Sequence, residues 1–266
     1  FSLFKNILPM DRASVICTES KEGKDFSKAL KLLNKKTMEI GKNSEFINIE
    51  SVKKYDSGNE VEITFQGEPF KFILGFAPYF QILNILCAAG LAIASGCNYK
   101  EVFSVLEKIE PVKGRYEIIK LNNYSNIIID YAHTPEALSC VLRDIKKEGI
   151  GKVVIVFGCG GGRDQSKRPL MGRVAEKYCD EIIITNDNSR DEDPSLIADQ
   201  ILEGCPKARV ILDRAEAIKC GISKIKNNDV LLIAGKGHEE TQIIGNHINP
   251  FSDRDVIRNF CEASNE

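Results

Sequence analysis

The second half of this chain has a rhythm that leaves few ways to fold it. Apolar, β-branched runs recur at Ile127–Tyr131, Val153–Phe157, Glu181–Thr185, Ala208–Leu212 and Val230–Ala234, with amphipathic stretches between them. VVIVF and VLLIA show no polar alternation, so both faces of those strands must be covered. Strands alternating with helices satisfy this as a parallel sheet with helices on both faces. The capping signals agree. Thr134 is placed to cap a helix that opens on Pro135 and stops near Gly149. Further helices are predicted after Pro169, from Pro194 to Gly204, and from Arg214 to Lys226.

The first half is less regular. SVICTE and FINIE read as strands, and EVEITFQGEPFKFIL reads as a hairpin turning at Gln66-Gly67. Helical patterns follow at Phe80–Ser95 and Lys100–Lys108, and a hinge is expected within Pro111–Gly114. Two domains are therefore predicted, residues 1–111 and 112–266. Phe72 to Asn98 carries no charged residue, but Pro78 interrupts it. The helix that remains spans about 24 Å, short of the ~30 Å of a bilayer core, so a buried core helix is expected and no membrane insertion. The formal net charge of −2 gives no broad basic field for nucleic acid. Nine cysteines, with no CxxC pair and no histidine at ligand spacing, argue against zinc and against a disulfide framework. They fit reduced thiols in a cytoplasm. The chain opens on FSLFKN without a methionine and reads as part of a longer polypeptide.

In an open parallel sheet, ligands bind beyond the carboxyl ends of the strands. Four such ends carry unusual residues: DYAHTP (130–135), GCGGGRDQSKR (158–168), DNSR (187–190) and GKGHEE (235–240). Each alone has an ordinary explanation as a cap, a tight turn or a surface charge. Four on the same edge of one sheet point to a convergent site. DNSR packs an acid, an amide and an arginine into four residues, which suits a group carrying both charges. The glycine loop is neither a GxxxxGK(S/T) phosphate loop nor a GxGxxG fingerprint, since Arg163 stands sixth from Gly158. Its arginine offers a planar fork that matches a carboxylate.

GRYE, DYAHTPEAL, FGCGGGRDQSKRPLMG, TNDNSRDEDP, AGKGHEETQ and FSDRD occur in this order. Together they closely resemble the Mur ligase family, strongly from Gly114 onward and more weakly before it. The resemblance implies an α/β chain made of part of the family's central ATP-binding domain followed by a C-terminal Rossmann-like parallel-sheet domain. It implies an ATP-dependent ligase that adds meso-diaminopimelate to UDP-MurNAc-L-Ala-D-Glu through an acyl phosphate. ATP would meet Asn84, Arg115, Asp130 and Tyr131, with His133 a catalytic candidate near the nucleotide. The diaminopimelate pocket would be Arg163, Asp187, Asn188, Ser189, Arg190, Gly235 and Glu239. Arg163 and Arg190 suit the amino acid's carboxylates, and Asp187 and Glu239 its ammonium groups. Lysine has no distal carboxylate for Arg190.

By the same resemblance, the phosphate loop, the Mg2+ ligands and the UDP-sugar domain belong upstream of residue 1. This chain alone is then expected to be inactive, and the protein to be a cytoplasmic monomer. Three positions depart from the family pattern. Gly162 stands where Asp or Asn is usual, Ser189 where Pro is usual, and Gln81 where Asn is usual on the adenine helix. The alternatives are a lysine-adding or folylpolyglutamate-type ligase, and a non-catalytic binding module.

Overall fold

The strongest sequence signal becomes the centre of a sheet. In the computed structural model, which describes residues 2–55, 58–75, 78–121, 125–149 and 151–263, the chain divides into two units, Phe1–Glu110 and Pro111–Glu266. Phe76 and Ala77, part of the uncharged stretch, lie outside the described residues.

The first unit holds strands β1 (Ser14–Cys17), β2 (Thr37–Gly41), β3 (Ile47–Tyr55), β4 (Gly58–Phe65) and β5 (Glu68–Leu74), ordered as numbered. β1, β2 and β3 run parallel, whereas β3, β4 and β5 form an antiparallel meander. The β4–β5 turn falls at Gln66 and Gly67, whose φ values of 52° and 81° suit a two-residue hairpin loop. Helices α1 (Ser2–Asn6) and α2 (Lys21–Leu32) lie in the N-terminal part of this unit. Helix α3 (Tyr79–Ala94) is the expected core helix: Ile82, Leu86 and Ala89 pack with Ile40, Ile49, Ile63 and Phe72 of the sheet. Among the described residues no helix is long and apolar enough to cross a membrane. The predicted Lys100–Lys108 helix is α4 (Tyr99–Ser104) followed by a single tight turn, Leu106–Lys108. Strand β2 and helix α2 were not foreseen.

The second unit is built on β6 (Glu117–Lys120), β7 (Asn126–Asp130), β8 (Val153–Phe157), β9 (Glu181–Ile184), β10 (Arg209–Val210) and β11 (Val230–Ala234), in the order β10-β9-β8-β11-β7-β6. All neighbours are parallel except β6, which runs antiparallel to β7. Every residue of β8 and β11 is buried. One face packs Ile127, Val154, Val156, Leu231 and Ile233 against α8 (Arg214–Lys224) and Ile257 of α9 (Asp253–Ala263). Helices α5 (Pro135–Lys147), α6 (Lys167–Tyr178) and α7 (Pro194–Leu202) form a second packed group. Thr134 caps α5 by accepting the Ala137 N–H, and Asp193 caps α7 at Ser195.

Helix α6 begins before Pro169, which sits at its third residue. The first-turn amides of a helix have no internal acceptor, so a proline there costs nothing. The Ala208–Leu212 run shortens to the two-residue edge strand β10, and the Leu212 carbonyl instead accepts the Asn186 N–H. The hairpin β12 (Thr241–Ile244) and β13 (His247–Pro250) was not predicted.

Candidate functional site

Because β7, β8, β9 and β11 run parallel, their carboxyl ends reach one edge of the sheet, and all four motif loops gather there. Glycines allow the approach. A Cβ on Gly114 would stand 2.2 Å from the His238 nitrogen, and one on Gly237 would stand 2.6 Å from the Gly114 carbonyl. A Cβ on Gly158 would meet the Thr185 carbonyl at 2.1 Å, and one on Gly161 the Ser189 carbonyl at 1.9 Å. Backbone therefore touches backbone between loops that are distant in sequence.

At the end of β7, Asp130 is buried and faces inward. Its two oxygens accept the N–H groups of Tyr116 (2.8 Å) and Ala132 (2.7 Å). Burial raises its pKa above the usual carboxylate value, against those two bonds and the Arg115 charge. The Tyr116 bond pins a residue held at φ 51°, in the left-handed region. Arg115 is exposed and lies over the Tyr131 ring at 4.4 Å. His133 and His238 pack on the same ring at centroid distances of 4.8 and 5.4 Å. The His133 Nδ1 lies 2.9 Å from the Tyr131 carbonyl, and Lys167 donates to the His133 carbonyl at 2.7 Å. These residues make an exposed cationic and aromatic shelf. Asn84, in the first unit, is exposed on α3, with a 3.4 Å contact to Gln81.

The DNSR loop is anchored more tightly than its exposed-looking sequence suggests. Asp187 to Ser189 are buried and Arg190 is half-buried. The Asn188 side chain is consumed internally: Nδ2 donates to Glu239 Oε2 at 2.9 Å, and Oδ1 accepts from Lys236 Nζ (3.1 Å) and the Ile243 N–H (3.0 Å). Lys236 is fully buried and also pairs with Glu239 Oε2 at 3.0 Å. For Glu239, burial pushes the pKa up, but the bonds from Lys236 and Asn188 outweigh it and leave the pKa below its ordinary value. Gly235, at φ 111°, closes the other side, where a Cβ would be 2.6 Å from Asp187 Oδ2. Ser189 is completely enclosed, and its hydroxyl has no partner among the described residues.

The two arginines remain available. Arg190 donates only to the carbonyls of Gly161 (2.8 Å) and Asn188 (3.3 Å), and no carboxylate pairs with it among the described residues. Two neighbouring acids are engaged elsewhere, Glu192 with Arg168 and Asp193 as the α7 cap, while Asp191 is exposed. Arg163 is exposed, with one long contact, 3.5 Å, to the Gly162 carbonyl. Gly162 itself adopts φ 64°. That conformation is open to Gly, Asn and Asp, which gives the glycine here a physical reason.

Several supporting residues escaped the sequence reading. Lys236 lies inside a quoted motif but carries no signal that it is buried. Arg214 and Asp253 are fully buried and paired at 2.7 and 2.8 Å, and Arg214 also donates to the Ala234 carbonyl at 3.1 Å, next to Gly235. Gln242 of β12 donates to the Asp187 carbonyl, and Arg190 bridges β12 through the Ile243 carbonyl and the Gly245 N–H.

A parallel sheet of this order, with glycine-bridged loops presenting arginines and carboxylates at its carboxyl edge, is the arrangement of a Rossmann-like α/β domain. Residues 114–237 match the family described as "Mur ligase, glutamate ligase domain", so the chain carries a Mur ligase C-terminal domain. It is 37% identical over 257 residues to the UDP-N-acetylmuramoyl-L-alanyl-D-glutamate--2,6-diaminopimelate ligase of Rhizobium meliloti, covering 96% of this chain and 53% of that protein. It is 41% identical over 232 residues to the ligase of the same name from Rickettsia typhi, covering 85% of this chain and 46% of that protein. A solved structure bearing that ligase name aligns with a TM-score of 0.59 at 28% identity, covering 96% of this chain and 54% of that one. MurF from Acinetobacter baumannii aligns with a TM-score of 0.67 at 17% identity, over 98% of this chain and 53% of that one, a likeness of fold. The chain thus spans about half the length of the curated relatives it matches.

Proposed function

We propose that the protein containing this chain is an ATP-dependent ligase that joins meso-diaminopimelate to UDP-MurNAc-L-Ala-D-Glu. ATP phosphorylates the D-glutamate carboxylate and leaves as ADP. The amine of diaminopimelate attacks the acyl carbon, gives up a proton, and the carbon–oxygen bond to phosphate breaks. The observation that carries this reading is Arg190: a half-buried guanidinium without a carboxylate partner among the described residues, close to Arg163 across Gly160, on the loop that also carries the buried acid Asp187 and the Asn188 that bonds Glu239. An amino acid with an ammonium and a carboxylate at each end matches that set. Arg163 and Arg190 take carboxylate; Asp187 and the free Glu239 oxygen take ammonium; Asn188, Ser189 and Gly235 shape the loop.

For ATP, the shelf of Arg115, Tyr131 and His133 in the second unit offers a cation and flat ring faces. Asp130 holds this shelf in place through its bonds from the Tyr116 and Ala132 N–H groups. Mg2+ would accompany ATP and offset the charge of its phosphates, and among the described residues no cluster of three or more His, Cys, Asp or Glu would hold it. The relatives that carry the diaminopimelate-ligase name support the same assignment, and the unpaired Arg190 favours it over a lysine-adding enzyme.

The test is Arg190→Ala in the full-length protein, assayed at saturating ATP with diaminopimelate and with lysine. Losing a desolvated charge partner costs ~2–5 kcal/mol, so kcat/KM for diaminopimelate should fall about thirty- to several-thousandfold. Lysine use should stay level or rise slightly. Equal losses for both amino acids would remove Arg190 from substrate selection. A full-length protein without ATP-dependent ligation would be a binding module.

A further inference from the structure

We propose that Arg168 and Glu192 form a clip that sets the spacing of Arg163 and Arg190 and so selects an amino acid with a carboxylate at each end. This rests on the proposed function. The two arginines belong to different loops, one after β8 and one after β9, which meet through the Gly161 N–H on the Asn188 carbonyl (2.9 Å) and Arg190 Nη1 on the Gly161 carbonyl (2.8 Å). The clip adds a charged tie at the bases of the two side chains. Arg168, in the first turn of α6, is fully buried. Its Nη1 meets Glu192 Oε2 at 2.8 Å and its Nη2 meets Glu192 Oε1 at 3.1 Å, a two-pronged pair. Gln200 Oε1 accepts from Nη1 at 2.6 Å, and the Gly160 carbonyl accepts from Nη2 at 3.2 Å.

Glu192 lies two residues beyond Arg190, and its Oε1 also accepts the Gly162 N–H at 2.6 Å, immediately before Arg163. One carboxylate therefore grips both loops at the base of both arginines. Gly160 is the shared point. A Cβ there would lie 3.1 Å from Arg190 Nη1 and 3.9 Å from Arg163 Cγ, so the two side chains flank it while Arg168 holds its carbonyl. A pair serving stability alone would have no reason to join the two arginine-bearing loops at these points.

Arg168 and Glu192 are positioning residues, so the test needs a readout that mere stability does not move. In the full-length protein, Glu192→Ala, Glu192→Gln and Arg168→Lys are compared with the unaltered enzyme for ligation of diaminopimelate and of lysine, with thermal unfolding measured alongside. Glu192 is about a quarter exposed, which makes its truncation the gentler change. Misplacing a reacting group by about an ångström costs up to ~100-fold. Glu192→Ala should accordingly raise KM for diaminopimelate about ten- to hundredfold. The KM for ATP, the kcat at saturating diaminopimelate and the weak use of lysine should move less than about twofold. Glu192→Gln keeps one acceptor oxygen, which can serve the Gly162 N–H and Arg168 Nη2 but not Nη1, and should restore part of the loss, and Arg168→Lys, which keeps the charge but not the fork, should fall between. Parallel losses for both amino acids, losses that track the unfolded fraction, or an unchanged KM overturn the clip. Absence of diaminopimelate-dependent turnover in the unaltered protein instead overturns the functional reading beneath it.

Discussion

Replacing Asp253 by Asn attacks the most deeply buried charge pair in the second unit. Both side chains are fully enclosed, and Arg214 meets Asp253 through Nε (2.7 Å) and Nη2 (2.8 Å). Asparagine keeps the shape but offers one acceptor, and turns an NH2 toward a guanidinium N–H. Arg214 then keeps the asparagine oxygen and the Ala234 carbonyl, while its Nη1 already lacks a partner among the described residues. Breaking a buried pair from one side costs ~3–5 kcal/mol, because an uncompensated charge stays behind. With a urea m value of ~2 kcal/mol/M, the midpoint should drop by about 1.5–2.5 M. Removing both charges, as Arg214→Met with Asp253→Leu, leaves no orphan and should cost ~1 kcal/mol or less. The assay is urea unfolding of this chain at pH 7, followed by far-UV circular dichroism, for Asp253→Asn and the double variant. A single-variant loss below ~1 kcal/mol would refute the reasoning, as would a double variant as unstable as Asp253→Asn.

Three further outcomes are expected. Glu239 is held below the ordinary carboxylate range, so its contribution is full above about pH 4.5 and is lost as pH falls through its lower folded value; Glu239→Gln should flatten the acid limb of a stability–pH profile, and identical limbs would rule this out. Asp130 has the opposite sign: burial raises its pKa, so the native protein loses stability as pH rises from ~3.8 through that value, and Asp130→Asn should abolish this decline. In the full-length enzyme the same substitution should raise KM for ATP about tenfold with little change for diaminopimelate, and the reverse pattern would reassign the two pockets. Gly161→Ala drives a methyl group into the Ser189 carbonyl at 1.9 Å; it should destabilise the chain by ~1–3 kcal/mol, and a melting point equal to that of the parent chain would show the contact to be slack.

The central strands were legible because unbroken apolar runs can only be interior: Val153–Phe157 and Val230–Ala234 were read to the residue. The margins were not. β10 and β6 each pair on one side only, so few of their residues are constrained by neighbours. The β12–β13 hairpin hides behind the GKGHEE motif, although Gly245-Asn246 is a turn signal. At the candidate site, residue chemistry was visible and partnership was not. Asn188 reads as a ligand-facing amide, yet its partners stand 48 and 51 residues away at Lys236 and Glu239. The reason a lysine follows Gly235 appears only once β11 and β9 deliver their ends to the same place.

The β12–β13 hairpin offers a way to watch the pocket. Its first strand is tied to the DNSR loop by Gln242, by Ile243 and by the pair of backbone bonds that Arg190 makes from a left-handed conformation at φ 50°. Its outer strand is exposed along its whole length. A dye attached at Ile248, which is 67% exposed, would sit on the solvent side of a ribbon whose inner edge is bonded to the specificity loop. Amino-acid binding could then be followed as a change in fluorescence, without a label on any residue of the pocket.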